Sequence, residues 1–303
     1  MTTSKCWASV LIAALFLVGG CADSGKKTFE SGVSASQTGE HDKAIADCTE
    51  AIRLAPKRAD AYYNRGVAYG NNGEHDKAIA DYNEAIRLNP QYAEAYYGRA
   101  YAYGQKSEFD KAITDYTESI RLAPKNADAY VNRGIAYRHK GERDKAMADY
   151  NEAIRLKPKL AVAYYNRGNA YRHKGEYDKA IADYTETLRL NPKYVKAYSN
   201  RGSAHRHKGD FDKAISDCSE AVRLDPQLAV AYCGRGHAYQ EKAEHDKAIA
   251  DYTEAIRLNP KLGRAYFHRG SVYEMKGEKA KAEEDLAQAT KLGYKPKSPG
   301  QRP

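Results

Sequence analysis

The sequence has few of the residues that fill a large hydrophobic core. Its 303 residues include 5 phenylalanines and 1 tryptophan, and the mean hydropathy is −0.80. A single domain of this length buries most of its surface and needs more large apolar side chains. The 26 tyrosines nevertheless exclude a disordered chain, which would contain few aromatic residues. The composition therefore predicts a thin architecture, in which each segment buries a little surface against its neighbours.

Motifs that carry catalysis or hold a metal are also missing. The sequence has no phosphate-binding loop, no HExxH pair, no nucleophile elbow and no CxxC pair. His205 and His207 are two residues apart, so on a helix they point to different faces and do not form a metal site. We therefore expect a protein that is not an enzyme, with no cofactor, no metal and no small-molecule substrate.

The first residues are typical of an export signal. Lys5 precedes an apolar run over 7–18, which as a helix of about 18 Å is too short to span a membrane. The VGGC sequence that ends at Cys21 resembles the bacterial lipoprotein cleavage box. The resemblance implies a signal peptide at 1–20, lipidation of Cys21 as the new N-terminus and a linker over 21–24. An ordinary secretory signal with a chance cysteine is the alternative.

The lipid anchor predicts where the protein lies and limits its partners. Two or more acyl chains on Cys21 would hold it stably at the bacterial cell envelope. Ala22 follows the cysteine in place of an acidic residue, so the sorting pattern implies the outer membrane, facing the periplasm, in a bacterium with two membranes. The net charge of +9 and the interleaved tyrosines would suit single-stranded RNA. Export from the cytoplasm argues against that partner, so no nucleic acid is expected.

A period of 34 residues dominates the rest of the chain. Seven prolines mark it: Pro56, Pro90, Pro124, Pro158, Pro192, Pro226 and Pro260. Eight units fit without an insertion: 25–58, 59–92, 93–126, 127–160, 161–194, 195–228, 229–262 and 263–296. The eighth unit carries a polar second half, KAKAEEDLAQATKLG, as a terminal cap of stacked repeats requires. Residues 297–303 form a short basic tail.

Each unit is predicted to form two helices. In the unit 59–92, Tyr62, Gly66 and Tyr69 have the spacing of one helical face, and Gly73 ends that helix. Asp76 is placed to cap the second helix. No segment shows sustained alternation of period two, so no sheet is expected. Two cysteines stand where most other units have tyrosine, and we expect buried apolar side chains there: Cys48 and Cys218.

These positions resemble the signature of the tetratricopeptide repeat (TPR) family. They are Tyr62, Arg65, Gly66, Tyr69, Ala78, Tyr82, Ala85 and Pro90, and their equivalents recur along about nine tenths of the chain. Tyrosine replaces the family's tryptophan, and arginine replaces its leucine before the glycine. The resemblance implies an all-α, right-handed superhelical solenoid of about eight helix-turn-helix repeats. It also implies a concave face that binds peptides or proteins.

A second pattern combines arginine with aspartate. An arginine precedes the glycine position in seven repeats: Arg65, Arg99, Arg133, Arg167, Arg201, Arg235 and Arg269. Every second helix carries an aspartate, and the first repeat has Ser31 in place of arginine. Since no repeat precedes the first, we expect each aspartate to pair with the arginine of the next repeat, from Asp47–Arg65 to Asp251–Arg269. Pairing within a repeat, or with a lysine four residues earlier such as Lys43, is the alternative.

The resemblance also places a groove on the first helices. With Tyr62, Gly66 and Tyr69 packed inward, the residues between them face the concave side. The candidate groove residues are Asn64, Tyr97, Asn132, Arg138, Asn166, Arg172, Lys196, Asn200 and Arg206. Asparagine can hold a peptide backbone by donating and accepting hydrogen bonds, and arginine can hold a carboxylate through two.

The predicted groove is acidic toward its N-terminal end and basic in the middle. The acidic residues are Asp60, Glu94 and Asp128, and the basic stripe is Arg138-His139, Arg172-His173 and Arg206-His207. We expect the stripe to bind an acidic segment of a partner, more strongly below about pH 6.5 as the histidines become protonated. A relic of repeat duplication is the alternative. Val131 and Ile135 replace the leading pair of the carboxylate clamp of chaperone adaptors, so that clamp is not expected.

Together these features predict a non-catalytic scaffold or adaptor. It would bind protein or peptide partners and be tethered to the envelope, as bacterial envelope TPR lipoproteins are. The alternative is a structural component of a larger envelope assembly, such as secretion, pilus or cell-wall machinery, which uses the solenoid for subunit contacts.

Overall fold

The computed structural model describes residues 25–36 and 38–295, and all regular structure in this part of the chain is α-helical. The helices are α1 (25–36), α2 (His41–Leu54), α3 (Ala59–Asn71), α4 (His75–Leu88), α5 (Ala93–Gln105), α6 (Phe109–Leu122), α7 (Ala127–His139), α8 (Arg143–Leu156), α9 (Ala161–His173), α10 (Tyr177–Leu190), α11 (Val195–His207), α12 (Phe211–Leu224), α13 (Ala229–Glu241), α14 (His245–Leu258), α15 (Gly263–Met275) and α16 (Lys279–Lys291). The predicted signal peptide, Cys21, the linker and the tail lie outside the described residues.

The first helix of most repeats ends at a residue in the left-handed conformation. Gly73 has φ +78°, and the N–H of Glu74 donates to the carbonyl of Tyr69 at 2.9 Å, which closes the end of α3. Ser107 and Ala243 adopt the same conformation without being glycine, at φ 61° and 56°. A side chain is disfavoured there because its Cβ crowds the backbone.

The start of the second helix differs from the prediction. Helix α4 begins after Glu74, and no side chain caps it. Asp76 lies inside the first turn of α4, so the expected cap by Asp76 is wrong. Its carboxylate instead contacts the next repeat, as described below.

Small residues let the helices of each repeat approach closely. In the second repeat four alanines are fully buried: Ala61, Ala68, Ala78 and Ala85. Tyr82 is 4% exposed and lies between Gly66 of its own repeat and Gly98 of the next. A Cβ at these glycines would lie 2.9 and 2.6 Å from the Tyr82 ring. One tyrosine therefore fixes both the hairpin and the junction between repeats.

The described helices form two compact units, one ending at Leu156 and the other beginning at Lys157. In the first unit, consecutive helices pack from α2 to α8, and first helices of neighbouring repeats also touch, as in α3–α5 and α5–α7. In the second unit the same pattern runs from α9 to α16. Each unit is a stack of paired-helix repeats whose first helices share one surface. The predicted all-α solenoid of about eight repeats is confirmed.

Two smaller predictions about packing also agree with the structure. Cys48 and Cys218 are buried free thiols in the second-helix cores. Helix α16 buries only Ala282, Asp285 and Ala289, so most of its surface is polar and open, as a terminal repeat requires.

Candidate functional site

The arginine–aspartate pairs lie within repeats, so the expected ladder from Asp47–Arg65 to Asp251–Arg269 is wrong. Arg65 donates from Nε and Nη2 to Asp81 at 2.8 and 2.7 Å. The other pairs are Arg99–Asp115, Arg133–Asp149, Arg167–Asp183, Arg201–Asp217, Arg235–Asp251 and Arg269–Asp285. In the first repeat Ser31 donates to Asp47 at 2.7 Å. Two antiparallel helices joined by a short turn bring residues 16 apart side by side, and this geometry decides the pairing.

These arginines link repeats through a neutral oxygen. Nη1 of Arg65 donates to Oγ1 of Thr49, on the second helix of the preceding repeat, at 3.1 Å. Tyr62 and Tyr69 flank the guanidinium, with ring centroids 5.8 and 5.9 Å from its Cζ. The hydrogen bond to Asp81 raises the pKa of Arg65. All three nitrogens of the guanidinium thus donate within the protein, so Arg65 holds helices together and is not assigned to a ligand site.

Ion pairs between repeats do occur, but through other residues. Lys106, just after α5, binds Asp76 in the first turn of α4 at 2.5 Å. The equivalent pairs are Lys140–Asp110, Lys208–Asp178, Lys242–Asp212 and Lys276–Asp246. The aspartates are largely exposed, so solvent and salt weaken these pairs. A recurring spacing of 30 residues between aspartate and lysine was the sequence signal for them.

In the first unit, two of the predicted groove residues contact each other. Asn132 donates from Nδ2 to the hydroxyl of Tyr97 at 2.7 Å, which joins α7 to α5. Asn64 donates instead to the carbonyl of Asp60 in its own helix at 2.7 Å. Arg138 is half-buried near the end of α7. The Asn132–Tyr97 contact identifies the surface that neighbouring first helices share.

The second unit repeats this contact. Asn200 donates to the hydroxyl of Tyr165 at 3.1 Å and to Oδ1 of Asn169 at 2.8 Å, which joins α11 to α9. Asn166 is 6% exposed, and its Nδ2 donates to a carbonyl of its own helix. Lys196 is exposed in the first turn of α11. Of these three predicted residues, Asn200 and Lys196 are therefore the accessible ones.

Two histidines of the predicted basic stripe stack on aromatic rings of the preceding second helix. His139 lies on Phe109 with ring centroids 4.6 Å apart, and His207 lies on Tyr177 at 4.8 Å. Burial and the nearby Arg138 lower the pKa of His139 below its ordinary value. The expected titration near pH 6.5 is therefore displaced to lower pH at His139.

The first helices of repeats five to eight line a cavity of about 470 Å³ in the second unit. Its basic residues are Arg172 on α9, Arg206 on α11 and Arg264 on α15. Polar lining is supplied by Ser199, Asn200, Ser203, Cys233, His237 and His268. None of the described lining residues is acidic. Three predicted groove residues, Arg172, Asn200 and Arg206, are thus brought together.

Arg206 differs from the arginines that hold aspartate. Burial lowers the pKa of Arg206, whereas the bound carboxylate raises the pKa of Arg235. Within residues 25–36 and 38–295, no carboxylate lies within 4.0 Å of the Arg206 guanidinium; its Nη2 lies 3.0 Å from Nε2 of His207. Nε of Arg172 is buried without a hydrogen-bond partner in the same described part of the chain. The cavity therefore concentrates positive charge and leaves donors unused.

Two histidines form another part of the cavity wall. The ring centroids of His237 and His268 are 4.0 Å apart. Burial, and then the charge of Arg206, lowers the pKa of His268 to about 4. Burial, and then the proximity of His268, lowers the pKa of His237 to about 2. Both imidazoles are thus uncharged at neutral pH, when each can donate one hydrogen bond and accept one.

Three of these residues were not among those predicted from the sequence: Arg264, His237 and His268. All three occupy helix positions assigned to the groove in other repeats. Arg264 is equivalent to Asp60, and His268 is equivalent to Asn64. These residues could have been found by applying the groove-facing positions of the other repeats to repeats seven and eight.

Neither a metal site nor a membrane-spanning helix occurs in the described part of the chain. Residues 25–36 and 38–295 contain no group of three or more His, Cys, Asp or Glu side chains that could hold a metal ion. In the same ranges, every helix is too short or too polar to cross a membrane. Cys21, the predicted lipidation site, lies outside these residues.

Family models match along the chain. A model described as a tetratricopeptide repeat matches residues 59–92, 93–126, 161–194, 195–228 and 229–262. A model described as a TPR repeat matches 36–73 and 135–172, and two further tetratricopeptide repeat models match 115–148 and 263–292. A comparison with curated proteins gives no match.

Several solved structures share the fold. A chain of the APC/C hetero-tetramer Cut9-Hcn1 is 20% identical, with 84% of this chain and 48% of that chain covered and a TM-score of 0.66. A tetratricopeptide repeat protein from Parabacteroides merdae ATCC 43184 is 23% identical, with 78% and 93% covered and a TM-score of 0.63. YrrB, described as a TPR protein with an unusual peptide-binding site, is 23% identical, with 64% and 97% covered and a TM-score of 0.52. The chain spans about half the length of the Cut9-Hcn1 chain that it matches. With its repeats matched over more than half of its length, the protein belongs to the tetratricopeptide repeat family.

Proposed function

We propose that this TPR protein is a non-catalytic scaffold or adaptor that binds acidic segments of partner proteins at the bacterial cell envelope. One observation carries the proposal. Arg172, Arg206 and Arg264 meet in one cavity whose described lining has no acidic side chain. Like charges held together repel one another and destabilise the free protein. An anionic partner would remove that repulsion, so the cluster is best explained by binding.

The shared surface of the first helices also suits a peptide backbone. In the Asn132–Tyr97 and Asn200–Tyr165 contacts, the tyrosine hydroxyl accepts a hydrogen bond and keeps its own hydrogen to donate. The asparagine carbonyl oxygens are acceptors on the same surface. Such groups can pair with an extended segment without reading its sequence. The peptide-binding site for which YrrB is described supports this use of the fold.

A preference for acidic segments predicts that the capture of partners depends on salt. Full-length protein is used to capture partners from an envelope extract at low and high salt. The test protein carries Arg138→Glu, Arg172→Glu and Arg206→Glu. The matched control carries Arg121→Glu, Arg155→Glu and Arg189→Glu, which change the charge equally on exposed arginines of the second helices.

Capture should fall in the test protein and persist in the control, and salt should weaken capture by the wild type. Equal capture by both proteins, with the far-ultraviolet helix signal intact, would make the basic stripe a relic of duplication. A stoichiometric complex that survives both high salt and the test substitutions would indicate a structural component of an envelope assembly instead.

The envelope location is a separate part of the proposal. It rests on the VGGC sequence ending at Cys21 and on the apolar run before it. Cys21→Ser should release the protein from membranes or leave its signal uncleaved, whereas Cys6→Ser, inside the predicted signal peptide, should do neither. Radiolabelled fatty acid that still enters the Cys21→Ser protein would contradict lipidation at this residue.

A further inference from the structure

The basic cavity of the second unit has the composition of a specific oxyanion site. We propose that Arg172, Arg206 and Arg264 together bind one multiply charged oxyanion group, such as a phosphate or closely spaced carboxylates. The inference deepens the proposed function, because an acidic protein segment is one source of such a group. A free oxyanion is the other source, and the experiment below separates the two.

Arg206 differs from the core arginines in having no carboxylate partner among the described residues. A guanidinium has five N–H donors in a fixed plane and suits two oxygens of one anion. In the repeat cores this capacity is used by aspartate, as in Arg235–Asp251 at 2.8 Å. Arg206 has the same side chain in a half-buried position, with no carboxylate within 4.0 Å among the described residues. The cavity therefore offers a half-buried arginine that forms no ion pair with a carboxylate of the described residues.

Three helices each contribute one arginine to the cavity. Arg172, Arg206 and Arg264 belong to α9, α11 and α15, and all three line the same cavity. Helices position side chains more precisely than loops do, so the three cations are held along one wall and repel one another. Only an anion between them would convert this repulsion into attraction.

Neutral hydroxyl groups line the cavity beside the arginines. Ser199 and Ser203 are four residues apart and therefore lie on one face of α11, beside Arg206. Their hydroxyls can donate to oxygens that the guanidiniums leave free. Glu241 lies beside the wall, with its carboxylate 3.9 Å from Nε2 of His237. Burial lowers the pKa of Arg206, and the charge of Glu241 raises that pKa by less. A single carboxylate at the edge does not balance three arginines.

The size of the cavity indicates that the oxyanion belongs to a larger molecule. About 470 Å³ exceeds the volume of one phosphate and admits an anionic group together with part of the molecule that carries it. Tyr294 belongs to the lining and packs on Phe267 with ring centroids 5.3 Å apart. The wall is therefore partly aromatic, which suits an organic carrier of the anion.

The test measures thermal unfolding of the full chain, kept in detergent micelles, with inorganic phosphate added at constant ionic strength against chloride. Phosphate should raise the melting temperature of the wild type, and Arg206→Gln should remove most of that increase. Without phosphate, Arg206→Gln should be at least as stable as the wild type, because the substitution relieves repulsion. The matched control is Arg189→Gln, an exposed arginine of α10 that pairs with Glu186. It should respond to phosphate as the wild type does.

A phosphate effect that is absent, or equal in Arg206→Gln and the wild type, would overturn the proposal. The source of the group is tested with a peptide of alternating glutamate and serine, blocked at both ends, that competes with phosphate. Competition supports an acidic protein segment. Binding of phosphate without competition supports a free oxyanion and shows that the proposed function fails at this cavity. If the peptide binds Arg206→Gln as tightly as it binds the wild type, the proposed function is retained and the oxyanion site is overturned.

Discussion

Arg99 and Asp115 lie on the two helices of one repeat, and two hydrogen bonds of 2.6 and 2.8 Å join them. Asp115 is 5% exposed, so water does not replace the guanidinium easily. The pair closes the hairpin. The junction to the preceding repeat uses Nη1 of Arg99, which donates to Oδ1 of Asn83 at 2.7 Å.

A double-mutant cycle on Arg99 and Asp115 tests this arrangement. Because both hydrogen bonds join charged groups, we expect a coupling free energy of about 1.5–3 kcal/mol in urea unfolding. Asp115 and Arg133, which the sequence suggested as partners, should couple by less than about 0.5 kcal/mol. A larger coupling for Asp115 with Arg133 would contradict the pairing within repeats.

Helix α5 contains two glycines whose replacement should have opposite effects. In Gly98→Ala the new Cβ would lie 2.6 Å from Cζ of Tyr82, so the repeats must shift apart, at a cost of about 1–3 kcal/mol. In Gly104→Ala no atom lies within 4 Å, and the lower flexibility of the unfolded chain should stabilise the protein by up to about 1 kcal/mol. Chemical unfolding of both variants checks this, and equal effects would count against the role of Tyr82 at the junction.

Two turns should gain stability from glycine. Ser107 and Ala243 have φ 61° and 56°, in the region that disfavours a side chain. Ser107→Gly and Ala243→Gly should each raise the free energy of unfolding by about 1 kcal/mol, and Gly73→Ala should lower it by a similar amount. Melting temperatures of the three variants provide the measurement. If neither glycine variant has a higher melting temperature than the wild type, the backbone at these two turns is not strained.

Acid should destabilise the second unit through its buried histidines. Unfolded histidine titrates near pH 6.5, whereas burial lowers the pKa of His268 to about 4 and that of His237 to about 2. Below pH 6.5 these two histidines therefore bind protons in the unfolded chain but not in the folded chain. Stability is complete above pH 6.5 and is lost as the pH falls toward the folded pKa, by about 2 kcal/mol per histidine between pH 7.5 and 5.

The groups around the two rings determine the size of this acid effect. They are Arg206, Arg264, His207, Tyr252 and Glu241. The arginines oppose protonation, and Glu241 favours it at His237. Urea unfolding at both pH values, for the wild type and His268→Gln, is the measurement. The variant should lose about half of the pH dependence, and an unchanged pH dependence would mean that the pKa of His268 is the same in the folded and unfolded chains.

The fold could be predicted from the sequence because the same short-range signals recur from repeat to repeat. Glycine at position 73, proline at position 90 and alanine at the helix contacts specify the hairpin locally. The aspartate partner of each arginine could not be predicted, because Asp47 and Asp81 are equivalent in sequence. Only the packing of the two helices of one repeat brings Asp81, and not Asp47, to Arg65.

The candidate site was predicted in part for a similar reason. Arg172 and Arg206 stand out by repetition, and the structure brings both to one cavity. Arg264 completes the cluster from a repeat with a different sequence, so only its position, equivalent to that of Asp60, could have indicated it. Burial of Asn166 depends on how neighbouring helices meet, which periodicity alone does not specify.

The most direct test of the account is the binding of a labelled, glutamate-rich peptide to the full chain, followed by fluorescence anisotropy. We expect saturable binding that weakens with salt and becomes at least about tenfold weaker when Arg172, Arg206 and Arg264 are all replaced by glutamine. Replacement of Arg121, Arg155 and Arg189 by glutamine, which changes the net charge equally, should leave the affinity within about twofold. Equal affinity in the two triple variants, or no binding by the wild type, would contradict the claim that these three arginines recognise an acidic partner.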